Sequence, residues 1–135
     1  MSSRRILAFL SLVAVGTPLV AEAAVRLHLR LVKSEPAAND TLRTAPTTIK
    51  LWFTEPPELA VTSVKLLMPR GSDTTRIATS VVHRDAAEHA VMAADILGAL
   101  HAGRYVIAWR TTASDGHPAA GTIAFTVSTS GTAAQ

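Results

Sequence analysis

An antiparallel β-sandwich or a small β-barrel is the fold class this chain predicts, on three observations. Apolar and polar side chains alternate in short runs, turn residues recur between those runs, and no long stretch carries the 3.6-residue apolar period of an amphipathic helix. The 135 residues include no cysteine, so packing rather than disulfides must hold the fold.

The first element is a leader. Arg4 and Arg5 precede an apolar run over residues 6–21, broken by Gly16, Thr17 and Pro18 and closed by Ala21-Glu22-Ala23. Basic residues, a short apolar core and small residues at the end are the signature of a secretory signal peptide. Residues 1–23 are therefore predicted to be removed, residues 24–128 to form one domain, and residues 129–135, rich in Ser, Thr, Gly and Ala, to be a flexible tail. No later stretch approaches the ~20 apolar residues of a spanning helix, so the exported chain is expected not to span a membrane.

The strands follow in order. IKLWF (49–53) puts Ile49, Leu51 and Phe53 on one face, and SVKLLM (63–68) does the same for Val64, Leu66 and Met68. Thr75 to His83 and His89 to Ala93 alternate less cleanly and are weaker strands. Asp95-Ile96-Leu97 reads as one helical turn before Gly98. RYVIAWR (104–110) sets Tyr105, Ile107 and Trp109 against Val106, Ala108 and Arg110, and in TIAFTV (122–127) Ile123, Phe125 and Val127 alternate with smaller residues. The alternating aromatics are core candidates, while Trp52 lies on the opposite face of its strand. Turn markers separate the runs: residues 35–40, Pro56-Pro57, Pro69-Arg70-Gly71, Gly98, Gly103 and residues 115–118.

Charge excludes one class of partner. A formal net charge of +3 at pH 7, with no basic run, gives no electrostatic footprint for nucleic acid. Without thiolate, the candidate metal ligands are His, Asp, Glu and Met. His83, His89 and His101 have no organised partner in sequence, and Glu55 before two prolines reads as a solvated carboxylate.

SDGHPAAG (114–121) stands apart. Asp115 and His117 are two positions apart, so in extended backbone they project to one side, and Gly116 between them lets the chain bend. Taken alone, the pair reads first as a hydrogen-bonded turn. Ser114, Asp115 and His117 have the residue types of a hydrolase triad, but they are too close in sequence for its geometry and no G-x-S-x-G elbow is present. As part of a metal site, imidazole plus carboxylate with a second imidazole forms an N,N,O set suited to tetragonal Cu(II), with zinc as the competitor.

HLRLVKSEPAANDTL, IKLWFTEP and LGALHAGRYVIAWRTTASDGHPAAGTIAFTV together resemble the CopC family of periplasmic copper-resistance proteins. The likeness runs from His28 to Val127 and rests on Ser34-x-Pro36-Ala37, Phe53-x-Glu55-Pro56, Gly103-x-Tyr105-x-Ile107-x-Trp109-Arg110 and Ser114-Asp115-Gly116-His117-Pro118-x-x-Gly121. The resemblance implies a seven-stranded antiparallel Greek-key β-sandwich of the cupredoxin or immunoglobulin-like kind. It also implies one Cu(II) ion held by His28, Asp115 and His117, a periplasmic location, and an inner-membrane copper transporter as a possible partner. The implied role is binding for sequestration, transfer or tolerance, not catalysis. The alternatives are a copper-dependent oxidative enzyme of the histidine-brace type and a metal-free immunoglobulin-like interaction module. A methionine-rich Cu(I) run, present in some relatives, is not found here, since only Met68 and Met92 remain after Met1.

One departure stands out. Typical members of the family begin at the histidine that His28 matches, so that its α-amine also ligates; here the expected cut leaves Ala24-Val25-Arg26-Leu27 in front of it. A water or a backbone group is then expected to complete the copper plane. Mass spectrometry of the exported protein is expected to find Ala24 first, and a mature chain beginning at His28 would overturn this expectation.

Overall fold

The computed structural model describes residues 28–128; the leader and tail expected at residues 1–23 and 129–135 lie outside the described residues. Nine strands form two sheets. They are β1 (Leu31–Glu35), β2 (Thr41–Leu42), β3 (Thr48–Phe53), β4 (Ser63–Arg70), β5 (Asp73–Ile77), β6 (His83–Arg84), β7 (Val91–Asp95), β8 (Gly103–Thr112) and β9 (Pro118–Val127). One sheet has the order β1-β3-β7-β6 and the other β2-β9-β8-β4-β5. Against seven expected strands, the two additional ones in this set are β2 and β6, each of two residues. The expected antiparallel pairing holds except between β2 and β9, which run parallel with Thr41 opposite Thr126 and Leu42 opposite Val127.

The core lies between the sheets, where alternation placed it. Ile49, Leu51 and Phe53 from β3 meet Val64 and Leu66 from β4, Tyr105, Ile107 and Trp109 from β8, and Ile123, Phe125 and Val127 from β9. Met68 is half-buried at the margin of this cluster. Aromatic pairs order its two ends: Tyr105 stacks on Phe125 with centroids 5.5 Å apart, and Phe53 meets the edge of Trp109 at 5.3 Å. Trp52, on the outer face, is half-buried beneath the Lys33 ammonium, 4.3 Å from its ring.

The weaker strand expected at residues 89–93 is present as β7, and the helical turn expected at residues 95–97 gives way. β7 is buried over Val91, Met92, Ala93 and Ala94, so it shows a continuous apolar run instead of alternation. It is flanked by β3 and β6, and outer-face Ala93 lies opposite both Lys50 and His83. Asp95-Ile96-Leu97 is not helical: Asp95 ends β7 and Ile96 bridges Thr79. The short 3₁₀ turn falls at Leu59–Val61, after the two prolines.

The longest ladder positions the remainder of the molecule. β8 and β9 pair over ten rungs, from Gly103 opposite Val127 to Thr112 opposite Pro118. Within it Gly121 faces Trp109, and a Cβ at Gly121 would lie 2.8 Å from the indole, closer than carbon atoms tolerate. Gly121→Ala is thus expected to push Trp109 off its rotamer and off Phe53, destabilising the fold by about 1–3 kcal/mol in urea unfolding with an unchanged m-value. A variant as stable as wild type would show that the indole has room to move.

Candidate metal centre

At one pole of the sandwich the ladders of β1 with β3 and of β8 with β9 end side by side. The loop Ala113–His117 closes the β8/β9 hairpin: the Ala113 amide donates to the His117 carbonyl at 2.8 Å and the Gly116 amide to the Ala113 carbonyl at 2.9 Å. That is a three-residue loop over a tight turn, and Gly116, at φ +88°, takes the left-handed position such loops reserve for glycine. Ala113 is buried and anchors the loop to the core.

Asp115 and His117 do converge, but by a different route from the expected one. The backbone between them turns instead of running extended. Asp115 Oδ1 accepts the His117 amide at 3.1 Å, an Asx turn, and Oδ2 lies 3.0 Å from His117 Nδ1. The amide and the ring of His117 hold the Asp115 carboxyl below its usual range, against a small opposing effect of desolvation. A carboxylate on Nδ1 fixes the ring's orientation and leaves Nε2 facing outward.

His28 arrives from the other ladder. Leu29 beside it is buried, while His28 and Arg30 are exposed, so alternation turns both toward solvent. Thr54, immediately after β3, holds the segment: its amide donates to the Arg30 carbonyl at 2.9 Å, and its hydroxyl accepts the Arg30 amide at 3.0 Å and donates to the His28 carbonyl at 3.4 Å. The His28 and His117 rings then meet edge to face with centroids 6.0 Å apart. His28, Asp115, His117, Leu29, Ala113, Pro118 and Ala119 line one cleft of about 200 Å³.

The separation of the two imidazoles, 6.0 Å between centroids, stands at the limit for sharing one ion. A metal–nitrogen bond of about 2.0 Å sets a ring centroid roughly 3 Å from the metal, so two ligating rings lie up to about 6 Å apart. Among the described residues no group of three or more His, Cys, Asp or Glu side chains is placed to hold a metal ion as it stands. Both Asp115 oxygens are engaged with His117, so ligation by the carboxylate would exchange its contact with Nδ1 for one with an ion.

The other histidines stay apart from this cleft. His83 is on β6, with Nδ1 3.4 Å from the Val81 carbonyl, and the His89 carbonyl accepts from Arg84. His101 serves through its backbone, whose amide and carbonyl both bond the buried Tyr105 hydroxyl. Thr54 escaped sequence reasoning; its signal is a hydroxyl residue at a strand end just before Glu55-Pro56-Pro57. A larger cleft of about 810 Å³ opens along β1 and the Pro46 region; no histidine lines it, and its mainly apolar walls include Lys33, Glu35 and Asp40.

Comparison with known proteins bears on the same elements. The family model of the CopC domain matches residues 31–128. Copper resistance protein C of Pseudomonas syringae pv. tomato is 30% identical over 121 residues, covering 88% of this chain and 94% of that protein. The copper transport protein CutJ of Bacillus subtilis (strain 168) is 29% identical over 100 residues; 74% of this chain is covered, but it spans only 18% of that relative's length. Among solved structures, PcoC, a methionine-rich copper resistance protein from Escherichia coli, superposes with a TM-score of 0.67 at 31% identity, over 75% of this chain and 99% of that one. CopC from Methylosinus trichosporium OB3b gives 0.67 at 29% identity, over 76% and 96%.

The loop geometry generates its own test. Gly116 has open space around it, so Gly116→Ala meets no clash and its cost is backbone strain alone. The substitution is expected to destabilise the fold by about 1–2 kcal/mol and to broaden the NMR signals of Asp115 and His117 while leaving those of Tyr105 and Phe125 in place. Sharp, unshifted His117 signals would count against the turn as the device that aims the ring.

Proposed function

The chain belongs to the CopC family, and on that premise we propose that it is a periplasmic copper-binding protein that captures one Cu(II) ion through His28, Asp115 and His117. The observation that carries the reading is the pairing of two imidazoles, 89 positions apart in sequence, at 6.0 Å across one carboxylate. Nitrogen and carboxylate oxygen suit Cu(II), whereas thioethers suit Cu(I). Met92 is fully buried and Met68 is half-buried in the core margin, so neither faces the cleft as a soft ligand. This supports a single site that favours the oxidised ion.

Export follows from the leader pattern, and a cut after Ala23 leaves four residues before His28. A water or a backbone group would then complete the ligand set. The reading takes binding rather than catalysis as the activity, and the names of the relatives, which describe resistance and transport, support it. Cargo held at an exposed pole suits hand-over to another protein, and a membrane copper transporter is the acceptor we favour. CutJ, of which this chain matches less than a fifth, is itself named as a transport protein. Among the described residues no helix is long and apolar enough to cross a membrane.

Cu(II) titration of the processed protein, read by electron paramagnetic resonance, tests this directly. One ion with two imidazole nitrogens is expected, and copper at a hundredfold excess over Kd should stabilise the fold by about 2.7 kcal/mol. His117→Ala should abolish both the resonance signal and the rise in Tm. Unchanged stoichiometry in that variant would refute the site.

A further inference from the structure

We infer that Thr54 is the positioning residue that keeps His28 within reach of the ion, its hydroxyl standing in for the ladder rung that the following prolines prevent. The inference rests on the reading of His28 as a copper ligand. The β1/β3 ladder runs out at Leu31 opposite Phe53. One more backbone bond, from the Thr54 amide to the Arg30 carbonyl, extends it, and Pro56 and Pro57 then have no N–H to offer. Residues 28–30 would otherwise fray, as the end of an edge strand does.

The Thr54 hydroxyl solves this with one atom. It accepts the Arg30 amide, where a continuing strand would present a carbonyl, and it donates to the His28 carbonyl at 3.4 Å. Both contacts are to backbone, so they fix where the His28 Cα stands while leaving its ring free to turn. Leu29, buried between the two bonded residues, is the second anchor. His117 needs no such help because its tight loop already holds it. The ordering of the site therefore depends on this strand end.

Thr54→Val keeps the β-branched shape and removes only the hydroxyl; Thr54→Ser keeps the hydroxyl and removes a methyl group. In the metal-free protein the Arg30 amide should exchange with solvent roughly two- to tenfold faster in Thr54→Val, as expected for one net hydrogen bond, while the core amides of Leu51 and Ile107 are unaffected. The Cu(II) Kd should weaken by a similar factor, and Thr54→Ser should restore both quantities. Unaltered Arg30 exchange in the valine variant overturns the inference. So does faster exchange with unaltered copper affinity, because the hydroxyl would then order a segment the ion does not use. The ligand assignment is judged separately by His28→Ala: retention of full affinity there sinks the site reading, whatever Thr54 does.

Discussion

The placement of Asp115 and His117 depends on the ten-rung ladder between β8 and β9. It spans the full height of the sandwich, so its inward side chains, Tyr105, Ile107, Trp109, Ile123, Phe125 and Val127, supply a large part of the core. Ladder register is strict where one face is buried, because a slip of one residue would turn each of these outward. The same register fixes where the hairpin must close, and hence where Asp115 and His117 stand. Gly121 opposite Trp109 adds a steric check on that register, since no other residue fits beneath the indole. Core packing and loop placement are in this sense one constraint read at two heights.

The pole is also where backbone groups lose their ladder partners, and each must be satisfied in another way. Asp115 takes up the His117 amide, Thr54 takes up the Arg30 amide, and the Thr112 carbonyl accepts the Glu58 amide after the prolines. Side chains recruited to close off strand ends stand close together at a solvent-exposed face. A histidine on such an end has one flank ordered and the other free. That combination suits an ion that has to arrive and leave more than it suits a buried structural metal, whose ligands close around it.

Alternation over residues 49–53, 63–68, 104–110 and 122–127 made both inner faces legible, because half-buried antiparallel strands report their orientation in every second residue. β7 was legible only as a weaker strand, because burial on both faces erases that period. β2 and β6 are too short to carry any period at all. Within the site, Asp115 and His117 were legible as a pair, but the Asx turn was not, since sequence spacing alone cannot tell an extended i, i+2 pair from a turned one. His28 was beyond local reasoning. Its partner is 89 positions away in sequence, and only the block pattern of the CopC resemblance pointed to it. Thr54 was missed because its role is to bond backbone, which leaves no trace in the pattern of titratable residues.

The two imidazoles differ in how they are held, and this asymmetry has a consequence for an ion that must be passed on. His117 is preset by a short loop, two bonds from Asp115 and a buried Ala113. His28 is held by one hydroxyl and one apolar neighbour at the end of an edge strand. In the proposed function His117 and Asp115 would therefore form the standing half of the site and His28 the closing half. Affinity is reduced by whatever fraction of the time His28 is away, because only the closed arrangement offers both nitrogens. An acceptor that competes for the ion would displace the less firmly held ligand first. Under the proposed function, release would then proceed by loss of one ligand at a time, while the ladder that positions the other two remained intact.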